Sequence, residues 1–188
     1  MLHVWRPGPE RVRDFIAGQR DRAFSYEAVG CTKDERRPAR FAVDHNRQLL
    51  GTGAAAFERA KQAVRGWRMF PPPWTAIEPD DAPIEIGTTV AVHVRVMGLW
   101  WLNATRIVYT IDEPRRFGFA YGTLPGHAEL GEERFVVEWL ADDTVWYDVL
   151  AYSRPRHLLP RLLYPLARRY QRRFGRESKA AMERSVRP

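Results

Sequence analysis

"FGFAYGTLPGHAELGEERFVVEW", residues 117–139, reads as two strands and the turn between them. On the first strand Phe117, Phe119 and Tyr121 alternate with Gly118, Ala120 and Gly122. On the second, Glu133, Phe135, Val137 and Trp139 alternate with Arg134, Val136 and Glu138. A period of two with one apolar side marks a half-buried β-strand, and a connection this short, built on Gly and Pro, joins neighbours antiparallel. The pattern continues outward. In TTVAVHVRVM (88–97) valines 90, 92, 94 and 96 oppose Ala91, His93 and Arg95. In TRIVYTI (105–111) Ile107, Tyr109 and Ile111 oppose Arg106, Val108 and Thr110, and VWYDVLAY (145–152) closes the series. Residues 88–152 are therefore expected to form a meander of about five antiparallel strands, with a shorter strand near WTAIEP (74–79).

Helices flank this meander. PERVRDFIAG, with Pro9 at a first helical position, predicts a short N-terminal helix, and residues 23–40 read as loop. FAVDHNRQLLG (41–51) alternates as a strand. After it Phe57, Ala60, Val64 and Trp67 recur at helical spacing until Pro71, Pro72 and Pro73 end the helix. Beyond residue 155, Pro160 and Pro165 suggest a short turn and then a main helix from about Leu166 to Val186. Its inner stripe is Leu159, Leu163, Ala167, Tyr170, Phe174, Ser178 and Ala181.

A sheet with one apolar face needs a cover, and the long helix has the stripe to be one. The expected class is α+β, one domain over 1–188, with 1–40 an N-terminal helix and loop extension. Its element order resembles the helix-grip fold of START-like and Bet v 1-like proteins over roughly residues 40–187. That resemblance implies a curved antiparallel sheet wrapped around a long C-terminal helix, with space between them. The residues carry a closer match. "FSYEAVG", "WWLNATRIVYTIDEPRRFGFAYGTLPGHAELGEERFVVEW" and "YSRPRHLLPRLLYPLARRYQRRF" are similar to the uncharacterised family catalogued as domain of unknown function nineteen-ninety, found in bacteria and plants. This resemblance spans nearly the whole chain and brings no reaction or ligand with it.

Composition narrows the function. A chain of 188 residues that is 45% hydrophobic and 12% aromatic can bury a core. The one cysteine, Cys31, excludes an intrachain disulfide and a cysteine-based zinc cluster, which fits a reducing cytoplasm. MLHVWRPGPERVRDF lacks the apolar run of a signal peptide, and nothing reaches the roughly 18 apolar residues of a membrane span. A soluble, cytoplasmic protein is expected. From Arg154 onward there are 11 Lys and Arg against 2 Asp and Glu, whereas residues 1–153 carry 19 against 21. The net charge of +7 thus belongs to the C-terminal segment. Arg161, Arg168, Arg169, Arg172, Arg173, Arg176 and Lys179 crowd one side of the last helix. A solvated face is the simplest reading. Weak contact with an anionic membrane is the next, through Arg168, Arg169, Arg172, Arg173 and Arg176. Nucleic acid ranks last, because no aromatic residues interleave on that side.

GTGAAAF (51–57) fits the G-x-G-x-x-A dinucleotide fingerprint, after a strand and opening a helix. Its context argues against a nucleotide. The preceding strand carries Asp44, His45, Arg47 and Gln48, whereas a central parallel strand is apolar on both faces. No cofactor and no metal is expected, since His3, His45, His93, His127 and His157 are scattered without ligand spacing.

The turn between the first two strands holds the best candidates. His127 with Glu132 or Glu133 would form an acid–base pair, although polar residues at a hairpin tip are commonly only scaffold. Glu133 shares a face with Phe135 and Trp139, so it needs a partner, either Arg106 or an inward tyrosine. The bare face of Gly118, Ala120 and Gly122 suits a bulge, a strong bend, or close approach of another backbone or of a ligand. The reading is a cavity for a small, largely apolar molecule (lipid, isoprenoid or aromatic). Tyr109, Tyr121, Glu133 and Tyr147 are its polar groups, and His127 stands at a mouth rimmed by the hairpin 122–131. An enzyme using the same cavity (a cyclase, isomerase or hydrolase) is the first rival, favoured by a strongly raised carboxyl pKa beside a histidine. An interaction module docking its basic helix is the second, favoured by a core with no cavity above about 300 Å³.

Overall fold

The computed structural model describes residues 1–156 and 164–187. The chain runs β1 (Leu2–His3), α1 (Pro9–Ala17), β2 (Ala42–Thr52), α2 (Gly53–Arg65), β3 (Thr75–Glu78), β4 (Thr89–Val96), β5 (Leu99–Glu113), β6 (Arg116–Thr123), β7 (Glu129–Trp139), β8 (Thr144–Pro155) and α3 (Tyr164–Val186). All strands join one antiparallel sheet in the order β2-β8-β7-β6-β5-β4-β3, and β1 pairs with β5 at Trp100 and Trp101. The expected meander is β4 to β8. The turn at Pro160 and the stripe residues Leu159 and Leu163 fall outside the described residues, as do Arg161 and His157.

The sheet is curved, and its two faces are closed by different parts of the chain. On the concave face α2 lays Ala56, Phe57, Ala60, Ala63 and Val64 against Phe117, Phe119, Phe135 and Val137. Small side chains on this helix bring it close to the sheet, and Trp67 meets Phe119 edge-on at 4.8 Å. The C-terminal half of α3 lies beside it, burying Ser178, Ala181, Met182 and Val186. Ser178 Oγ is 2.9 Å from Tyr147 Oη. The N-terminal half of α3 meets the core at a second level. Phe174 packs on Phe70 at 5.4 Å, and Tyr170 on Trp74 at 5.8 Å. Both partners come from the segment after α2, whereas the direct strand contacts of this half are at one edge, to Asp44 of β2 and Ser153 of β8.

The convex face belongs to the first forty residues. α1 places Val12 and Ile16 on Ala91 and Leu102. The segment 24–41 then crosses β6, β7 and β8, with Tyr26, Cys31 and Phe41 against Leu150 and Tyr152. Gly122 explains the bare face of β6, since a Cβ there would lie 2.3 Å from Tyr26 Oη. The close approach is thus made by the chain's own N-terminal segment. Glu132, 2% exposed, is the anchor. It accepts from Tyr26 Oη (2.5 Å), Gly30 N (2.7 Å), and both N (2.9 Å) and Oγ1 (2.5 Å) of Thr32. Glu132→Ala leaves four donors unpaired in a closed interface and is expected to cost about 3 kcal/mol or more of stability. Urea unfolding compared with wild type at equal m-value measures it.

Candidate functional site

A cavity of about 260 Å³ remains between the N-terminal half of α3 and the sheet. Its walls are Val92, Val94 and Val96 of β4, Trp101 of β5 and Val149 of β8. Phe70, Trp74, Tyr170 and Phe174 close it from above. The volume is slightly below the roughly 300 Å³ at which small-molecule sites begin, which is the outcome that favours an interaction module, and a ligand enclosed by this cavity has to be compact.

The polar groups come from one row across the sheet. Register places Asp44 of β2, Ala151 of β8, Glu133 of β7 and Tyr121 of β6 side by side on the concave face. Tyr121 Oη donates to Glu133 Oε2 at 2.7 Å, so the inward glutamate finds its partner in a tyrosine and not in Arg106. Burial pushes the Glu133 carboxyl up to about 7. The Tyr121 bond opposes that rise, and the nearby Asp44 and Glu129 carboxylates reinforce it. Burial and the same glutamate hold the Tyr121 phenol far above its usual range. Among the described residues neither Glu133 Oε1 nor Glu129 Oε2 has a hydrogen-bond partner, so these two oxygens are acceptors left for the cavity.

His127 lines the same cavity from the β6–β7 hairpin. Its Nδ1 lies 2.9 Å from the amide nitrogen and 3.1 Å from the carbonyl oxygen of Glu129, so the hairpin backbone occupies that atom in either tautomer. Nε2 is the ring atom left to meet a ligand. Burial lowers its pKa to about 3, so the ring is neutral at physiological pH.

Two residues beyond the sequence candidates complete the rim. The Arg168 guanidinium grips both carboxylate oxygens of Asp44, with Nη2–Oδ1 at 2.7 Å. Gln171 Nε2 donates to Glu129 Oε1 (2.7 Å) and Ser153 Oγ (3.0 Å). Asp44 and Gln171 carried no signal in the sequence, because each gains its place only from the register of β2 on β8 and the phase of α3.

Residues 25–181 match the family described as Domain of unknown function (DUF1990). The chain belongs to this family. A UPF0548 protein of Deinococcus radiodurans is 39% identical over 181 residues, covering 90% of this chain and 91% of its own. One from Dictyostelium discoideum is 32% identical over 202 residues, covering 96% and 94%. Among solved structures, a hypothetical protein of Helicobacter pylori superposes with a TM-score of 0.56 at 12% identity, over 88% of this chain and 96% of its own. Zhui aromatase/cyclase of Streptomyces gives 0.52 at 15%, over 77% and 94%. At such identities the likeness shows the fold, which is the helix-grip architecture of START-like proteins.

Not every candidate in this DUF1990 chain reaches the cavity. Tyr109 does not. A bulge in β5 between Ile107 and Tyr109 reverses the alternation there, so Ile107 faces inward beside Tyr121 while Tyr109 turns to the convex side. Its Oη bonds Thr32 Oγ1 at 2.8 Å. Arg106 also lies outside, its guanidinium held by the carbonyls of Gln19, Arg20 and Arg22. Tyr147 is inward but fully buried beneath α3, beside the cavity instead of on its wall. Both adjacent glutamates border the cavity with His127, but the Glu132 carboxylate is bound by Tyr26, Gly30 and Thr32 on the opposite face and the Glu133 carboxylate is the one that faces inward. The basic residues of α3 are divided as well. Arg168 is committed to Asp44, and Arg173 to Glu177 and the face of Trp74. Arg169, Arg172 and Arg176 form an exposed stripe.

The GTGAAA turn opens α2 from an antiparallel edge strand, and Gly53 N donates to Asp143 O in the β7–β8 turn. This is not the parallel strand–helix unit a dinucleotide needs. Among the described residues no group of three or more His, Cys, Asp or Glu is placed to hold a metal, and no helix is long and apolar enough to cross a membrane.

The Glu133 shift has a measurable sign. Its folded pKa lies above the unfolded value, so its contribution is complete below about 4.5 and is lost as pH rises through about 7. Glu133→Gln keeps an acceptor for Tyr121 and removes the titration. The melting temperature of the variant relative to wild type is therefore expected to rise between pH 4.5 and 7.5 and level off at either end.

Proposed function

We propose that this protein binds a small, largely apolar molecule between its sheet and α3, with the ligand's polar end at Glu133 and His127. The carrying observation is an apolar, aromatic-walled cavity in which, among the described residues, two carboxylate oxygens, Glu133 Oε1 and Glu129 Oε2, have no hydrogen-bond partner. Apolar walls supply affinity in proportion to the surface they remove from water, and a few convergent polar atoms fix orientation. The volume favours a monocyclic aromatic or short isoprenoid over a long-chain lipid. The charge is selective too. Asp44, Glu129 and Glu133 surround the site, and the one guanidinium at the rim is already paired with Asp44. A neutral or cationic polar end fits this environment, and a free carboxylate does not.

A second reading has its own support. A carboxyl titrating near 7 inside a cavity, with a neutral imidazole on the same wall, is poised for general acid–base work on a bound ligand. The fold shared with an aromatase/cyclase is compatible with such a reaction. In that case Glu133 moves the proton and His127 Nε2 orients the substrate.

Native mass spectrometry of protein isolated from its own host tests the binding reading. A co-purifying small apolar compound is expected, and it is lost in Ala151→Phe, which fills the cavity from β8. Wild-type protein that carries no such compound, and binds none from a panel of neutral aromatics and isoprenoids, would sink the reading. Turnover of the recovered compound that disappears in Glu133→Gln while binding persists would select the enzyme.

A further inference from the structure

One end of the sheet leaves large apolar side chains in water. Trp5 is 83% exposed, Met97 74% and Val4 66%, and Leu2 and Leu99 are exposed beside them. They are neighbours in space. β1 pairs Leu2 with Trp101 and His3 with Trp100, a register that carries Val4 and Trp5 on toward the β4–β5 turn at Met97–Leu99. The turn itself is tight, with Met97 and Gly98 both at positive φ (49° and 83°), so it projects as a narrow tip. Scattered apolar residues on a surface are ordinary, but a contiguous group containing an unpacked tryptophan marks a contact site.

The two chain segments that form this tip carry charge of one sign, although Arg6 also shares a surface pocket with Glu78 and Asp80. Arg6 and Arg95 are exposed, and each lies 5.7 Å from the ring centre of Trp100. Residues 1–9 and 94–102 contain no Asp or Glu. Tryptophan, aliphatic side chains and arginine together, with no carboxylate in these two segments, are the composition that partitions into the boundary between lipid headgroups and acyl chains. A convex tip offers little area to a folded protein surface, whereas a fluid bilayer closes around it.

We propose that this end of the molecule docks on an anionic phospholipid bilayer. Val4, Trp5, Met97 and Leu99 enter the interface, while Arg6 and Arg95 pair with lipid phosphates. The docked strands lead directly to the cavity. Val94, Val96 and Trp101 line its wall, and Met97 N donates to Tyr170 Oη on α3 at 3.3 Å. An apolar molecule leaving the bilayer at this tip reaches the cavity along β4 and β5. That last step rests on the ligand-binding reading, whereas the docking does not. The surface is also distinct from the Arg169, Arg172 and Arg176 stripe.

Co-sedimentation of the full chain with phosphatidylcholine vesicles, with and without phosphatidylglycerol, tests the docking. Wild type is expected to bind the anionic vesicles, more weakly as salt is raised. Trp5→Ser combined with Met97→Ser, and separately Arg6→Glu combined with Arg95→Glu, should each weaken binding at least tenfold. The far-UV spectrum and melting temperature should stay as in wild type, because all four side chains are exposed. Reversal of Arg169, Arg172 and Arg176 to Glu should leave most of the binding intact. The docking is overturned if wild type ignores both vesicle types, if the tip variants bind as wild type does, or if only the α3 reversal abolishes binding. It is equally overturned if the tip mediates self-association, seen as a concentration-dependent dimer that Trp5→Ser with Met97→Ser abolishes and that binds no vesicle.

Discussion

Glu132 must be solvated by protein, because the face on which it lies is covered. Withdrawing a carboxylate from water costs several kcal/mol unless charged hydrogen bonds replace those lost. Its four donors all come from Tyr26, Gly30 and Thr32, so the carboxylate is satisfied only when that stretch lies across β7. Neighbouring groups extend the same constraint. Arg134 donates to Thr32 O, to Glu35 and to Asp148, whose other oxygen meets His45 Nε2 at 2.7 Å. With the convex face closed by the N-terminal segment, the concave face is the one left for α2, α3 and the cavity between them.

Glu133, one residue further on, shows what the same side chain does with fewer donors. It receives a single hydrogen bond, from Tyr121, and shares its surroundings with two other carboxylates. The alternation of a strand therefore assigns two adjacent glutamates to unlike tasks. One is consumed in holding the sheet to its cover, and the other is left under-solvated where a ligand can complete its shell.

How far the sequence reaches can be judged from single residues. Alternation alone assigns Tyr121, Glu133 and Phe135 to the inner face, since regular strands carry their period faithfully. Tyr109 breaks the rule because a bulge is one residue with no compositional signature of its own in RIVYTI. Arg106 is assigned to the site only as a cation to balance Glu133. Its true partners are backbone carbonyls more than eighty residues away, and carbonyls leave no trace in residue type. The row Asp44–Ala151–Glu133–Tyr121 depends on the register of four strands, which period-two patterns leave free. Helix-grip order and the rim position of the 122–131 hairpin are legible for the opposite reason: they follow from element lengths and turn chemistry, which are local.

The two halves of α3 are held by different contacts. Its C-terminal half buries Ala181, Met182 and Val186 and bonds Ser178 to Tyr147, contacts that are lost only when water enters the core. Its N-terminal half is tied to the rim by Arg168–Asp44, Gln171–Glu129 and Tyr170–Met97, all at least partly open to solvent. Arg168 and Asp44 keep only 20% and 19% of their side-chain surface exposed, and Phe174 and Tyr170 of the same half pack on Phe70 and Trp74. The part of the helix that covers the cavity is therefore held by aromatic contact with the segment after α2 and by polar ties to the rim, while its far end is buried directly in the core. Tyr170 joins the covering half to the β4–β5 tip, so a surface that engages the tip also bears on the helix that closes the cavity.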